Sequence, residues 1–160
     1  MPRRYWLMKC EPSAYSIDDL ARDGDTCWEG VRNFQARNFM RDEMNVGDRV
    51  LFYASNADPS GVAGLATIGK TAYPDHFAWK KGHKYFDARS TKAEPVWYMV
   101  DLAFVDRFAE TVSLATLKAT ASLDKMRVTQ KGSRLSVQPV TKPEYDTVVR
   151  LGRTTGKAAR

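Results

Sequence analysis

Between Gly47 and Phe108 the chain carries three strand signals in succession and no helix signal, and this stretch restricts the possible folds more than any other. Gly47-Asp48 is a turn, because glycine takes up the positive φ that tight corners need and aspartate bonds to its own backbone. The turn leads into a strand over 49–54, apolar from Val50 to Ala54, and 62–73, rich in β-branched and small residues, reads as a second strand. Residues 74–94 form a long loop with aromatic and basic side chains, after which 96–108 alternates well enough to be one long central strand. Two shorter strands lie outside this block. One spans 5–9 and is ended by Glu11-Pro12, since proline cannot donate to a ladder; the other spans 135–140.

Helix signals flank the strands. Ser16 and Asp19 stand at the spacing of an N-cap and its N3 partner, with a helix through about residue 22 and Gly24 after it. Asn33 is a cap candidate for a second helix through about residue 42, amphipathic only in part. Residues 113–118 form a third, short one. Thr141, Pro143 and Glu144 supply the cap, the first-turn proline and the capping box of a terminal helix. Beyond Gly152 nothing remains to bury, so 153–160 is expected to be a disordered basic tail and 1–152 a single domain. Five or six strands with short helices and no regular βαβ spacing predict an α+β fold with a strongly bent or closed sheet.

Charge points toward a partner. The net charge is +6, and nine basic residues fall between Lys125 and Arg160 against only Glu144 and Asp146, so the remainder of the chain is close to neutral. Lys and Arg gathered in this way suit a polyanion, because phosphate contacts release counterions; a solvated basic face is the alternative. An apolar fraction of 43% beside 28% charged residues is that of a folded globular chain and not a disordered one. The apolar runs are far shorter than the ~18 residues of a membrane span. Arg3-Arg4 is followed by Tyr5-Trp6, not by a secretory leader, and Cys10 and Cys27 suit a reducing compartment. A cytoplasmic location is expected, with no membrane partner. Nothing in the sequence sets the oligomeric state, and a monomer is the simplest expectation.

The usual tools of catalysis are sparse. Cys10, Cys27, His76 and His83 lack the spacing of a zinc site, and Gly61-Val62-Ala63-Gly64 lacks the lysine and the strand-to-helix context of a phosphate-binding loop. No metal, cofactor or catalytic residue is assigned. What stands out is the stretch from Cys27 to Arg41, above all Cys27-Trp28-Glu29-Gly30-Val31-Arg32-Asn33, where aromatic, amide and guanidinium groups crowd a turn leading into a helix N-terminus. A flat ring such as Trp28 can stack on a base, and an Asn amide can meet a base edge; equally, Trp28 can be core and Asn33 a simple cap.

Several motifs in order, Tyr5-Trp6-Leu7-Met8-Lys9-Cys10-Glu11-Pro12, Trp28-Glu29-Gly30-Val31-Arg32-Asn33-Phe34-Gln35-Ala36-Arg37-Asn38, Phe52-Tyr53-Ala54-Ser55-Asn56, Gly61-Val62-Ala63-Gly64 and Arg134-Leu135-Ser136-Val137-Gln138-Pro139, resemble the EVE domain family from Tyr5 to about Leu151. That resemblance implies a PUA-like bent β-barrel with flanking helices, related to the YTH readers of methylated adenine. It implies a non-catalytic reader of a modified nucleobase in DNA or RNA, with cytosine derivatives the foremost ligands. By analogy Trp28 forms one wall of an aromatic cage, with Lys9 and Cys10 at its floor and Val31 in the same motif. Arg32 and Asn33 sit at the base edge, Ser55 and Asn56 close another side, and Arg134, Ser136 and Gln138 meet the backbone or the base. Trp79, chosen from Phe77, Trp79 and Tyr85 in the long loop, is the expected second wall. Many relatives carry histidine where this chain has Ala54, a departure that bears on ligand identity. The alternative activity is that of a small PUA-superfamily hydrolase acting on a modified nucleoside through Lys9 or Glu11.

Overall fold

A computed structural model describes residues 3–158. Six strands, β1 (Tyr5–Cys10), β2 (Asp25–Cys27), β3 (Arg49–Ala54), β4 (Gly61–Pro74), β5 (Tyr98–Ser113) and β6 (Val137–Val140), join in one sheet of order β2-β5-β4-β3-β1-β6. β1 runs parallel to β3 and every other neighbouring pair is antiparallel. The helices are α1 (Ile17–Asp23), α2 (Phe34–Asn38), α3 (Leu114–Ala119) and α4 (Lys142–Ala158). This is the expected α+β fold. Its sheet is open, since no pairing joins the outer strands β2 and β6 among the described residues.

The run over 50–54 is apolar throughout because both faces of β3 are covered. Val50, Phe52 and Ala54 enter one core with Trp6 and Met8, while Leu51 and Tyr53 enter the other with Leu7, as the two-residue period of a strand dictates. Ile17 and Leu20 of α1 and Ala36 of α2 close the first core; Leu117 of α3 with Tyr145 and Val148 of α4 close the second. The Gly47-Asp48 turn is tied in firmly. Gly47 takes φ 91°, and the buried Asp48 carboxylate accepts from Trp6 Nε1 at 3.0 Å and from the backbone N–H groups of Arg4 and Asn45.

Differences from the sequence reading have local causes. β2 is only three residues long and carries no alternation of its own; pairing with Ala103, Leu102 and Asp101 of β5 makes it a strand. α2 gives way at Phe39–Glu43 to a π-turn, which breaks the 3.6-residue period and with it the amphipathic pattern; Met40 within the turn and Met44 just after it are both buried in the first core. α4 continues past Gly152 to Ala158, a segment whose sequence predicts a disordered tail. Once the Thr141–Glu144 box has nucleated the helix, extension costs little, and no proline follows to stop it. Residues 159–160 lie outside the described residues.

Candidate functional site

The C-terminal end of β1, the segment after β2, the start of the loop beyond β3 and the turn before β6 meet around a cleft of about 850 Å³. Nine of the residues singled out from the sequence line it: Lys9, Cys10, Trp28, Val31, Arg32, Ser55, Asn56, Arg134 and Ser136. The parallel pairing of β1 with β3 explains part of this convergence. It places Cys10 beside Ala54, and the Ser55 N–H donates to the Cys10 carbonyl at 3.1 Å, so residues distant in sequence finish at one sheet end.

Three of the singled-out residues lie elsewhere. Asn33 caps α2, its side-chain oxygen accepting from the Ala36 N–H at 3.0 Å, which is the capping alternative raised for it. Gln138 is buried in β6 and donates to Ser133 Oγ and the Leu135 carbonyl, shaping the turn that carries Arg134. Trp79 ends a 3-10 turn (His76–Trp79) and does not reach the cleft; Tyr85 from the same long loop lines it instead. Gly30 makes the room for Tyr85. That glycine adopts φ 83°, and a Cβ there would stand 2.3 Å from the Tyr85 ring, so the ring packs directly on the Gly30 backbone. Tyr15 and Lys84 also line the cleft, as do Cys27 and Glu29 of the conspicuous stretch, none of which the sequence marks as a ligand-binding residue. Ala54 belongs to the core beside Phe52 and Trp28.

Trp28 is only 7% exposed, its ring meeting Phe52 edge-on at 5.5 Å, so it serves as core and cleft wall together. The segment after it is fastened by Asp75, a fully buried carboxylate that accepts from the Gly30 N–H at 2.9 Å and from Arg32 Nη1 and the Phe77 N–H at 3.0 Å. Arg32 also donates to the Val31 carbonyl and, through Nη2, to the Tyr85 carbonyl at 2.6 Å, with its guanidinium over the Tyr85 and Trp97 rings. Arg32 therefore joins the Trp28–Arg32 stretch to the long loop and positions Tyr85.

At the strand ends the side chains are freer. Lys9 donates to the Ser133 carbonyl at 3.1 Å and lies over the Tyr53 ring, with burial pushing its ammonium pKa down. Asn56, in the left-handed region at φ 48°, donates to Glu11 Oε1 at 2.6 Å. Burial pushes the Cys10 thiol up; Cys27 is pushed up to about 11, by burial first and then by the neighbouring Glu29 carboxylate. A second groove of about 750 Å³ shares Lys9 and Arg134 with the cleft and adds Lys118 and Lys131. Among the described residues no group of three or more His, Cys, Asp or Glu could hold a metal ion, and no helix is long and apolar enough to cross a membrane.

The chain matches the family model described as EVE domain over residues 4–151. It is 41% identical to thymocyte nuclear protein 1 of Homo sapiens, an alignment covering 92% of this chain and 73% of that protein. A hypothetical protein from Leishmania major has a similar structure, with a TM-score of 0.91 at 45% identity, covering 96% of this chain and 97% of that one. So does human THYN1 protein, solved in complex with 5-methylcytosine-containing DNA, with a TM-score of 0.86 at 40% identity over 93% of this chain and 97% of that one.

Proposed function

The chain belongs to the EVE domain family, and from that premise we propose that it is a non-catalytic reader that holds an extruded, 5-modified cytosine of DNA or RNA in the cleft. The observation that carries this reading is the cleft itself: two aromatic rings, Trp28 and Tyr85, together with Lys9 and Arg134, in a chain 40% identical to a protein solved with 5-methylcytosine DNA. Extruding a base costs a few kcal/mol, and each aromatic contact returns ~1–3 kcal/mol. Burying the added methyl group contributes roughly 0.8 kcal/mol, so the modification sharpens binding without dominating it. Arg134 and Lys131, at the cleft mouth and along the adjoining groove, supply phosphate contacts and with them a dependence on salt.

The chemistry of the lining favours binding over bond breaking. Thiols held protonated are poor nucleophiles, and neither histidine lines the cleft: His76 and His83 both pack on Phe77. Lys9, with its lowered pKa, is the group that a hydrolytic reading would use. The test is binding to single- and double-stranded oligonucleotides carrying cytosine, 5-methylcytosine, 5-hydroxymethylcytosine or N6-methyladenine at two salt concentrations, with Tyr85→Ala and Trp28→Ala alongside. A preference for modified cytosine that Tyr85→Ala weakens by about tenfold, within the range of one stacking contact, is expected. Salt-sensitive binding with no base preference overturns the reading, and release of product from an N4-acylated cytidine, lost in Lys9→Ala, replaces it with hydrolysis.

A further inference from the structure

A reader of 5-methylcytosine must reject thymine, which carries the same methyl group on the same ring. The two differ at C4, where cytosine presents an amino donor and thymine a carbonyl acceptor. Stacking on Trp28 and Tyr85 cannot tell them apart, because every base has a π face. A carboxylate can, since it accepts hydrogen bonds and cannot donate them.

Two carboxylates line the cleft, Glu11 and Glu29. Glu11 is exposed, and one of its oxygens already accepts from the Asn56 amide. Glu29 is half-buried and stands between Trp28 and Gly30, the residue on which the Tyr85 ring rests. Its Oε2 accepts from Cys27 Sγ at 3.4 Å, and no other donor reaches the carboxylate among the described residues. Its free oxygen is not stranded in the core, for no buried side-chain nitrogen or oxygen lacks a partner among the described residues. An acceptor with open capacity thus sits beside the aromatic walls.

We infer that Glu29 and Cys27 together read the C4–C5 edge of the base, Glu29 accepting from the 4-amino group and Cys27 packing against the 5-methyl group. This rests on the reader function proposed above. C4 and C5 are adjacent ring atoms, so the side chain that meets the amino group fixes which neighbour meets the methyl group. Cys27 is bonded to that same carboxylate and lines the same cleft. Its sulfur is small and polarizable, and burial keeps it uncharged, which suits a methyl group. Against thymine, the Glu29 carboxylate would face the O4 lone pairs.

The experiment measures affinity for three single-stranded oligonucleotides, identical except for 5-methylcytosine, cytosine or thymine at one position. The parent is expected to prefer 5-methylcytosine to thymine by on the order of tenfold or more, the usual worth of a matched against a mismatched base edge. Glu29→Gln, whose amide can also donate to O4, should bring that ratio to within about threefold while leaving the ratio of 5-methylcytosine to cytosine in place. Cys27→Ser should do the reverse, erasing a methyl preference of about fourfold and keeping thymine rejected. An oligonucleotide carrying 5-methylpyrimidin-2-one, which lacks the amino group, should bind the parent about as weakly as the thymine one does. This arm holds even if a variant fails to fold. Full thymine rejection in a folded Glu29→Gln, undiminished binding of the amino-less base, or loss of both ratios together in either variant overturns the assignment. A parent with no preference among the bases overturns the reader function beneath it.

Discussion

From Gly30 to Arg32 the strong hydrogen-bonding groups are answered within the protein, in contrast to the neighbouring Glu29 carboxylate: the Gly30 N–H and the Arg32 guanidinium meet Asp75, and Arg32 also holds the Val31 and Tyr85 carbonyls. At the strand ends that complete the same cleft, Arg134 is exposed with no ion pair among the described residues. The Ser55 and Ser136 hydroxyls likewise make no hydrogen bond there. The contrast separates two tasks. A wall whose bonding capacity is used internally holds a shape, because any movement would strand a buried polar group. A rim with open capacity gives up little when a ligand arrives and gains charge-assisted bonds. Arg32 and Arg134 are both cleft arginines, yet the first belongs to the fold and the second is available to a partner.

Substituting the first of these arginines is the severest way to test the distinction. Arg32→Ala leaves the fully buried Asp75 without its cation, and breaking such a pair costs about 3–5 kcal/mol; urea unfolding should register the loss, and base affinity should fall with it as Tyr85 comes adrift. A loss below about 1 kcal/mol, the scale of an exposed pair, would erase the difference between wall and rim. Gly30→Ala comes next. It forces a side chain into positive φ, at about 1–3 kcal/mol, and drives a methyl group into the Tyr85 ring. Affinity for a modified base should drop by more than the stability loss explains. Equal affinity in a folded Gly30→Ala protein would remove Tyr85 from the site.

The rim calls for the opposite pattern. Arg134→Ala should change stability by no more than about 0.5 kcal/mol while lowering the salt dependence of oligonucleotide binding by about one unit of slope. Lys131→Ala should do the same from the adjoining groove. A stability loss comparable to that of Arg32→Ala would mean that the rim, too, is structural.

The sequence made the rim and the sheet more legible than the wall. β3 announces itself by an unbroken apolar run, and α1 and α4 by capping boxes, because these signals are local: each depends on spacing within a few residues. The motif order then gave nine lining residues of the cleft. What the sequence could not reveal depends on contacts across the chain. β2 exists only through β5, and Asn33 turned out to spend its side chain on the Ala36 N–H. The loop aromatic at the cleft is Tyr85 and not Trp79 because Gly30 makes room for one ring, and a gap between two segments 55 residues apart leaves no mark in either alone. Glu29 was hidden for the opposite reason: an acidic residue in a basic, nucleic-acid-seeking chain looks like solvated surface until its single bond to Cys27 is seen.

The smallest expected effect lies at Cys27, where the wall begins. Its thiol is pushed from 9.0 up to about 11 because burial and the adjacent Glu29 carboxylate both disfavour the thiolate. The folded protein therefore favours the protonated form more than the unfolded chain does. The associated stabilisation is complete below about pH 9 and disappears as pH rises through about 11. In a Cys10→Ser background, alkylation by iodoacetamide should stay slow at pH 9 and accelerate only toward pH 11, since the thiolate is the reacting species. Glu29→Gln should move the reactive range downward by removing the second of the two causes while burial keeps the first. Half-maximal reactivity near pH 9 in the parent would place Cys27 in open water, on the side of the rim. An unchanged profile in Glu29→Gln would separate the carboxylate from the thiol and leave burial, with the lesser effect of Asp101, to account for the raised pKa.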